Sequence, residues 1–265
     1  MIQIYNNGNT FLSENTSFLK TNPDLACFFF WDAPYLKETD QVNYALRVEE
    51  EGQTLLALKV EPYNLLLFGA PCLAPALADY LLTNGFEIKN YLCAEDVGDR
   101  FAVALAAHGI LYDEALAMDF MEAREKTEET SARVSRATAE DIDEIFECLG
   151  CFVRDCGLLD EVRRENIEKS LGGFRLLRED GHIVSLTKIA KASDTSYKLT
   201  DVYTRDAYRG RGYARLVVNA AKNEILDMGM TATLNVDKKN PISNHLYASL
   251  GFRRVFSQGE YRRRK

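Results

Sequence analysis

Two short segments hold residue types whose spacing could do chemistry. The first is Val202-Tyr203-Thr204-Arg205-Asp206-Ala207-Tyr208-Arg209-Gly210-Arg211-Gly212-Tyr213-Ala214. It reads as a strand, a polar turn, a glycine-rich loop and the start of a helix. Glycines between a strand and a helix let backbone N–H groups turn toward a phosphate, and the helix N-terminus adds partial positive charge. The loop at 209–214 carries Arg209 and Arg211 and no acid, so its field suits a polyanion. It is neither a dinucleotide fingerprint nor a Walker loop, because no Gly-Lys-Ser/Thr and no suitably spaced acidic residue accompany it. The second segment runs Asn235, then Asn240-Pro241-x-Ser243-Asn244-x-Leu246-Tyr247-x-x-Leu250-Gly251-Phe252. Leu246 and Leu250, at i, i+4 spacing, are expected to face inward, with Tyr247 to one side of that stripe.

Taken together, Arg209-x-x-Gly212-x-Ala214 and the downstream Asn240…Tyr247…Leu250-Gly251-Phe252 resemble the GNAT superfamily of N-acetyltransferases, most closely its FR47-like branch. The resemblance covers residues 131–265. It implies acetyl-CoA as cosubstrate, with its pyrophosphate held by the amides of Arg209, Gly210, Arg211, Gly212, Tyr213 and Ala214. Its pantetheine would lie along Val202, Tyr203 and Thr204, where a splay from the strand at 231–236 would leave N–H groups free. One of those amides would stabilise the oxyanion formed when an amine attacks the thioester. Tyr247 would protonate, or hydrogen-bond to, the departing thiolate, and Asn240 and Ser243 match positions near the pantetheine arm. The general base is less determined. Strict alternation puts Lys198, Thr200, Val202 and Thr204 on one strand face and Leu199, Asp201 and Tyr203 on the other. Asp201 is the only acid among them and the candidate base, with a solvated carboxylate as its plainer reading; Asp237 and His245 are weaker candidates.

The elements that must position these residues follow from periodicity and turn signals. In the second half, 133–137 reads as a strand and Thr138-Ala139-Glu140-Asp141 as a helix cap. A second helix is expected over 160–170, and a hairpin at 174–190. Then come the strand feeding the loop, a helix to Gly229, the strand 231–236, a helix opened by Pro241, and a last strand. The fold class is α/β, with a mixed sheet. In the first half, 25–31 reads as a buried strand. A hairpin follows about Glu51-Gly52, and 63–68, 86–93 and 110–121 read as strands, with helices at 73–83 and 96–107. Residues 122–132 hold almost no large apolar side chain and are the linker candidate, which predicts domains at 1–125 and 131–265.

The net charge of −8 conceals an asymmetry. Residues 1–130 hold 8 Lys and Arg against 21 Asp and Glu, a net of −13, and the remainder is +5. The first half repeats the order strand, helix, Gly85, strand, helix, Gly109, strand. It therefore reads as a degenerate copy of the same fold in a tandem arrangement, with Ala70-Pro71-Cys72-Leu73 in place of the basic loop and Leu105 in place of Tyr247. Its acidity predicts a role in binding a cationic acceptor, within a wider class of small-molecule or peptide amines.

Six cysteines, Cys27, Cys72, Cys93, Cys148, Cys151 and Cys156, read as reduced thiols. Cys148-x-x-Cys151 lacks the further ligands that a closed zinc site needs, so no metal is expected. No signal peptide or membrane span is evident, which predicts a cytoplasmic location. The basic tail at 261–265 reads as a frayed, solvated end, and overall acidity argues against a nucleic-acid partner. The functional expectation is acetyl transfer from acetyl-CoA to an amine. Its rivals are a non-catalytic acyl-CoA-binding or regulatory protein and, less favoured, aminoacyl or peptidyl transfer on a similar tandem fold.

Overall fold

The computed structural model describes residues 1–127, 133–157 and 161–264. The chain divides into two compact units. One comprises Met1–Asp119, Asp237–Lys239 and Phe256–Lys265; the other comprises Phe120–Val236 and Asn240–Val255.

The first unit runs β1 (Ile2–Tyr5), α1 (Gly8–Leu19), α2 (Cys27–Asp32), β2 (Tyr44–Glu50), β3 (Gln53–Lys59), β4 (Leu65–Gly69), α3 (Ala74–Thr83), β5 (Asn90–Ala94), α4 (Glu95–Ala107) and the start of β6 (Tyr112–Ala123). β1 to β4 pair antiparallel in sequence order, and β4 pairs parallel with β5. One apolar cluster includes Leu77, Leu81, Phe101 and Leu105, and so lies under α3 and α4. A second includes Phe11, Leu19 and Phe29, and lies under α1 and α2.

Residues 25–31, expected as a strand, form α2 instead. Ala26, Phe29, Ala33 and Leu36 are buried in one apolar cluster, at a spacing of three and four that a helical path presents to one face. Phe29 stacks on Phe11 with centroids 6.0 Å apart and meets Phe68 edge-on at 6.1 Å. Tertiary packing thus overrides the strand preference of an aromatic run. The basic tail is not frayed either. β12 (Arg253–Arg263) pairs antiparallel with β5, Tyr261 is buried and stacks on Tyr91 at 4.6 Å, and Arg264 Nε donates to Asp113 at 2.7 Å. Lys265 lies outside the described residues.

The second unit runs β7 (Val134–Arg136), α5 (Ile142–Asp155), α6 (Arg164–Ser170), β8 (Phe174–Glu179), β9 (His182–Lys191), β10 (Ser196–Thr204), α7 (Tyr213–Asp227), β11 (Thr231–Asp237) and α8 (Pro241–Ser249). Thr138 and Asp141 form the expected capping box ahead of α5. Asp160, expected to open the next helix, lies outside the described residues, and α6 begins at Arg164. β7 to β10 pair antiparallel in order, and β10 pairs parallel with β11. α5 and α6 cover one core cluster, with Ile145, Leu149 and Ile167. α7 and α8 cover another, with Val217, Ala221, Tyr247 and Leu250. Along the chain, β1 to β6 and β7 to β12 follow one order: strand, two helices, three strands, helix, strand, helix, strand.

Of the linker candidate, Glu122 and Ala123 complete β6, and 128–132 lie outside the described residues. Thr127 is clasped to α7. Asn223 Nδ2 donates to its carbonyl at 3.0 Å, Lys222 Nζ donates to its hydroxyl at 3.2 Å, and that hydroxyl donates to Asn219. Lys222 is fully buried and also donates to the carbonyl of Leu250 at 2.8 Å, which ties α7 to the end of α8.

Candidate active site

β10 and β11 pair at only four positions, from Ser196↔Thr231 to Leu199↔Leu234. Beyond Leu199, only Thr200, Tyr203 and Thr204 pair, and they pair with β9, so the two parallel strands part. The gap opens just before the glycine loop. Gly210 and Gly212 have φ of +76° and +78°, which side-chain-bearing residues rarely adopt. Gly212 is the N-cap of α7 and offers no side chain to its amides. The amides of Gly210, Arg211 and Gly212 donate to no described residue. Those of Tyr213 and Ala214 open the helix, where the first N–H groups have no partner within it. Five consecutive donors thus sit beside the mouth of the splay.

The two loop arginines differ. Arg211 lies against the Tyr208 ring at 5.1 Å and donates to the Ala207 carbonyl at 3.2 Å. Arg209 is held by Asp155 at 2.5 Å and Asp206 at 2.8 Å, and its Nε donates to the Thr204 carbonyl at 3.1 Å. The loop itself carries no acid, but the turn before it and the end of α5 supply two. Arg209 therefore braces the loop, and much of its charge is already neutralised. Tyr213 is fixed by its hydroxyl, which donates to Glu179 at 2.8 Å, and by Arg133 over its ring at 5.4 Å. The Tyr213 hydroxyl, and after it Arg133, hold the Glu179 carboxyl below its ordinary range.

The alternation expected along β10 does not survive. Asp201 has φ +54°, and the register with β9 shifts between Thr200 and Tyr203. This bulge reverses the faces. Leu199 and Val202, three residues apart, both pack toward α7, whereas Tyr203 packs toward α5. Thr187 secures the bulge by donating its hydroxyl to the Thr200 carbonyl at 3.0 Å. Lys188 stands opposite Thr200, and the bulge swings Asp201 onto Lys188, with Oδ2 and Nζ 2.7 Å apart.

Asp201 and Lys188 contribute to a cavity of about 210 Å³ on the α5–α6 side of the sheet. Leu149, Phe152, Val153, Val162, Ile167 and Phe174 supply its apolar walls. Lys188 also lies over the Phe174 ring at 5.6 Å. Burial raises the Tyr203 phenol pKa, and a contact with the Cys151 thiol adds to the rise.

On α8, Tyr247 is 6% exposed, and its ring meets Phe252 edge-on at 6.0 Å. It is more buried than Leu246, so the inward stripe runs through Tyr247 and Leu250. Its hydroxyl bonds to no described residue. Burial, with the Cys156 thiol adding to it, raises its pKa and keeps the phenol protonated. Asn240 and Ser243 are used locally: Asn240 Oδ1 caps α8 by accepting from the Ser243 amide at 3.0 Å. Asn235 is the first β11 residue beyond the last pair with β10, and its buried Oδ1 accepts from no described residue. The sequence motif contains Asn235 but gives it no role; a lone amide between Leu234 and Val236 in a strand is the signal for one. None of the six cysteines forms a disulfide, and no group of three or more potential metal ligands occurs among the described residues. None of the described helices is long and apolar enough to cross a membrane.

A parallel-strand splay, an uncapped helix start and a buried tyrosine on the next helix thus belong to one unit. Residues 137–252 match the model of the acetyltransferase (GNAT) family, and this segment carries that family's pattern. The fold of the whole chain is similar to an acetyltransferase of the GNAT family from Colwellia psychrerythraea, at 11% identity, TM-score 0.67 and full coverage of both chains. It is also similar to a GCN5-related N-acetyltransferase from Sphaerobacter thermophilus, at 16% identity and TM-score 0.62, covering 83% of this chain and 80% of the other. A tandem GNAT protein from the clavulanic acid biosynthesis pathway is similar at 14% identity and TM-score 0.50, covering 91% and 86%. No curated protein matches the sequence.

Proposed function

We propose that this protein transfers an acetyl group from acetyl-CoA to the nitrogen of an amine. The observation that carries this reading is the row of five amides, 210–214, that donate to no described residue, beside the parting of β10 from β11. The amides bind the CoA pyrophosphate, with Arg211 nearby. Pantetheine lies along Val202–Thr204 and pairs with the strand edge that β11 leaves open. A β10 amide receives the oxyanion as the amine nitrogen attacks the thioester carbonyl carbon. The intermediate collapses, the C–S bond breaks, and the thiolate takes the Tyr247 proton. Asp201 receives the proton that the amine loses, directly or through water. Asn235 Oδ1 accepts a hydrogen bond from the bound substrates.

The first unit fits a silent copy of the same fold. Its corresponding junction holds Pro71 and Pro75, which have no N–H to offer, and the Ala70 amide is already bonded to Thr54. A single CoA site in the second unit follows, with the FR47-like pattern confined to that half.

The test is acetyl-CoA turnover, followed by free-thiol release, against a panel of amines with the wild type and Tyr247→Phe. Phenylalanine keeps the ring packing and removes the proton, so kcat should fall about 10²–10⁴-fold with CoA affinity unchanged. Full turnover by the variant would remove Tyr247 from the reaction. Acetyl-CoA binding without turnover on any amine would favour a binding protein.

A further inference from the structure

The cavity under α5 and α6 carries information about the acceptor. Its apolar walls come from α5, α6, the segment before α6, and Phe174 on β8. Among the described residues, the ion pair set between them is Lys188–Asp201, with side chains 24% and 22% exposed. Glu161 and Arg163, the other charged pair of the lining, are 75% and 64% exposed and bonded to each other, and so form the rim. A plain cationic amine would find a carboxylate already answered by a lysine. A neutral apolar amine would leave Lys188 unanswered once its nitrogen displaced it from Asp201. A ligand bearing both charges answers both, its ammonium to Asp201 and its carboxylate to Lys188. Lys188 is steadied for that exchange by the Phe174 ring beneath it.

Size narrows the ligand further. The cavity is about 210 Å³. That lies below the roughly 300–1,000 Å³ of pockets for drug-sized ligands, and above the roughly 150 Å³ cavity that holds one benzene. One amino-acid side chain with its head group fits this range.

We infer that the acceptor is a free α-amino acid with an apolar side chain, its carboxylate bound by Lys188 and its amino group by Asp201. This rests on the acyl-transfer reading above, and it replaces the cationic acceptor that the acidity of the first half suggests. The products are the N-acetyl amino acid and CoA thiol; the ammonium proton leaves through Asp201 before attack. The bulge at Asp201 is the device that brings amine and carboxylate recognition into one pocket, since a regular strand would turn Asp201 away from Lys188.

The test compares four acceptors of related shape with the full-length protein: L-leucine, L-leucinamide, 3-methylbutylamine and spermidine. Leucine should exceed leucinamide and 3-methylbutylamine at least tenfold in kcat/KM, with spermidine lowest. In Lys188→Met the preference for leucine over leucinamide should collapse toward one, with CoA affinity unchanged, and Lys188→Arg should restore part of it. Equal use of leucine and leucinamide by the wild type, or a preference for spermidine, would overturn the assignment without touching acyl transfer. Should no amine be acetylated, calorimetric titration of leucine and leucinamide into the CoA-saturated protein decides the pocket separately: selective binding of leucine supports the assignment, and absence of selectivity ends it.

Discussion

Replacing Gly212 with alanine separates the backbone's part in the cradle from its part in stability. Gly212 sits at φ +78°, and a side chain in that conformation costs about 1–2 kcal/mol. A Cβ there meets nothing within 4 Å, so no clash is added. Gly229, at the other end of α7, has φ +73° and is equally open. Gly229→Ala therefore carries the same backbone cost away from the amides and serves as the control. In a chain of this size, each kcal/mol lowers Tm by about 2–4 °C, so both variants should lose about 2–8 °C. Only Gly212→Ala should also weaken CoA. Relaxation toward negative φ turns the Gly212 and Tyr213 amides from the phosphate, and one charge-assisted hydrogen bond is worth about 1.5–3 kcal/mol. The dissociation constant should rise about 10- to 150-fold, measured by calorimetry alongside thermal melts. CoA affinity unchanged in Gly212→Ala, or reduced equally in Gly229→Ala, would refute the cradle.

Two further outcomes follow. Asp155→Asn releases part of Arg209 from its ion pairs, and exposed pairs of this kind are worth about 0.2–1 kcal/mol. CoA should bind up to about fivefold tighter, with a steeper salt dependence; weaker binding would show that Arg209 acts only as a brace. The pKa values of Tyr44, Tyr91, Tyr247 and Tyr261 are all raised by burial. Their unfolded counterparts ionise near pH 10, so above that pH the unfolded state binds fewer protons than the folded one, and stability falls. Thermal melts should drop steeply from about pH 9.5 upward; a flat profile to pH 11 would contradict the burial of these phenols.

Much of the second unit was legible in the sequence because its signals are local. Gly210 and Gly212, Thr138 with Asp141, and Pro241 after Asn240 each fix backbone geometry within a few residues. The loop, the capped helices and the hairpins follow from them. The repeated order of elements was legible for the same reason, apart from the aromatic run of α2. There Phe29 meets Phe11 and Phe68 from distant parts of the chain, and those contacts outweigh intrinsic preference.

The rest depends on where residues distant in the chain meet. Periodicity assigns Asp201 to a strand face, but the bulge between Thr200 and Tyr203 reverses that assignment and delivers Asp201 to Lys188. Counting charges makes Arg209 a free cation, but Asp155, from α5, claims it. Composition makes the C-terminal tail a loose basic end, but pairing with β5 buries Tyr261. The sequence determined that a basic glycine loop and a tyrosine would share one α/β unit, since both are set by short-range backbone chemistry. Which charges meet beside them depends on strand register and on helices remote in the chain, and those are properties of the folded sheet.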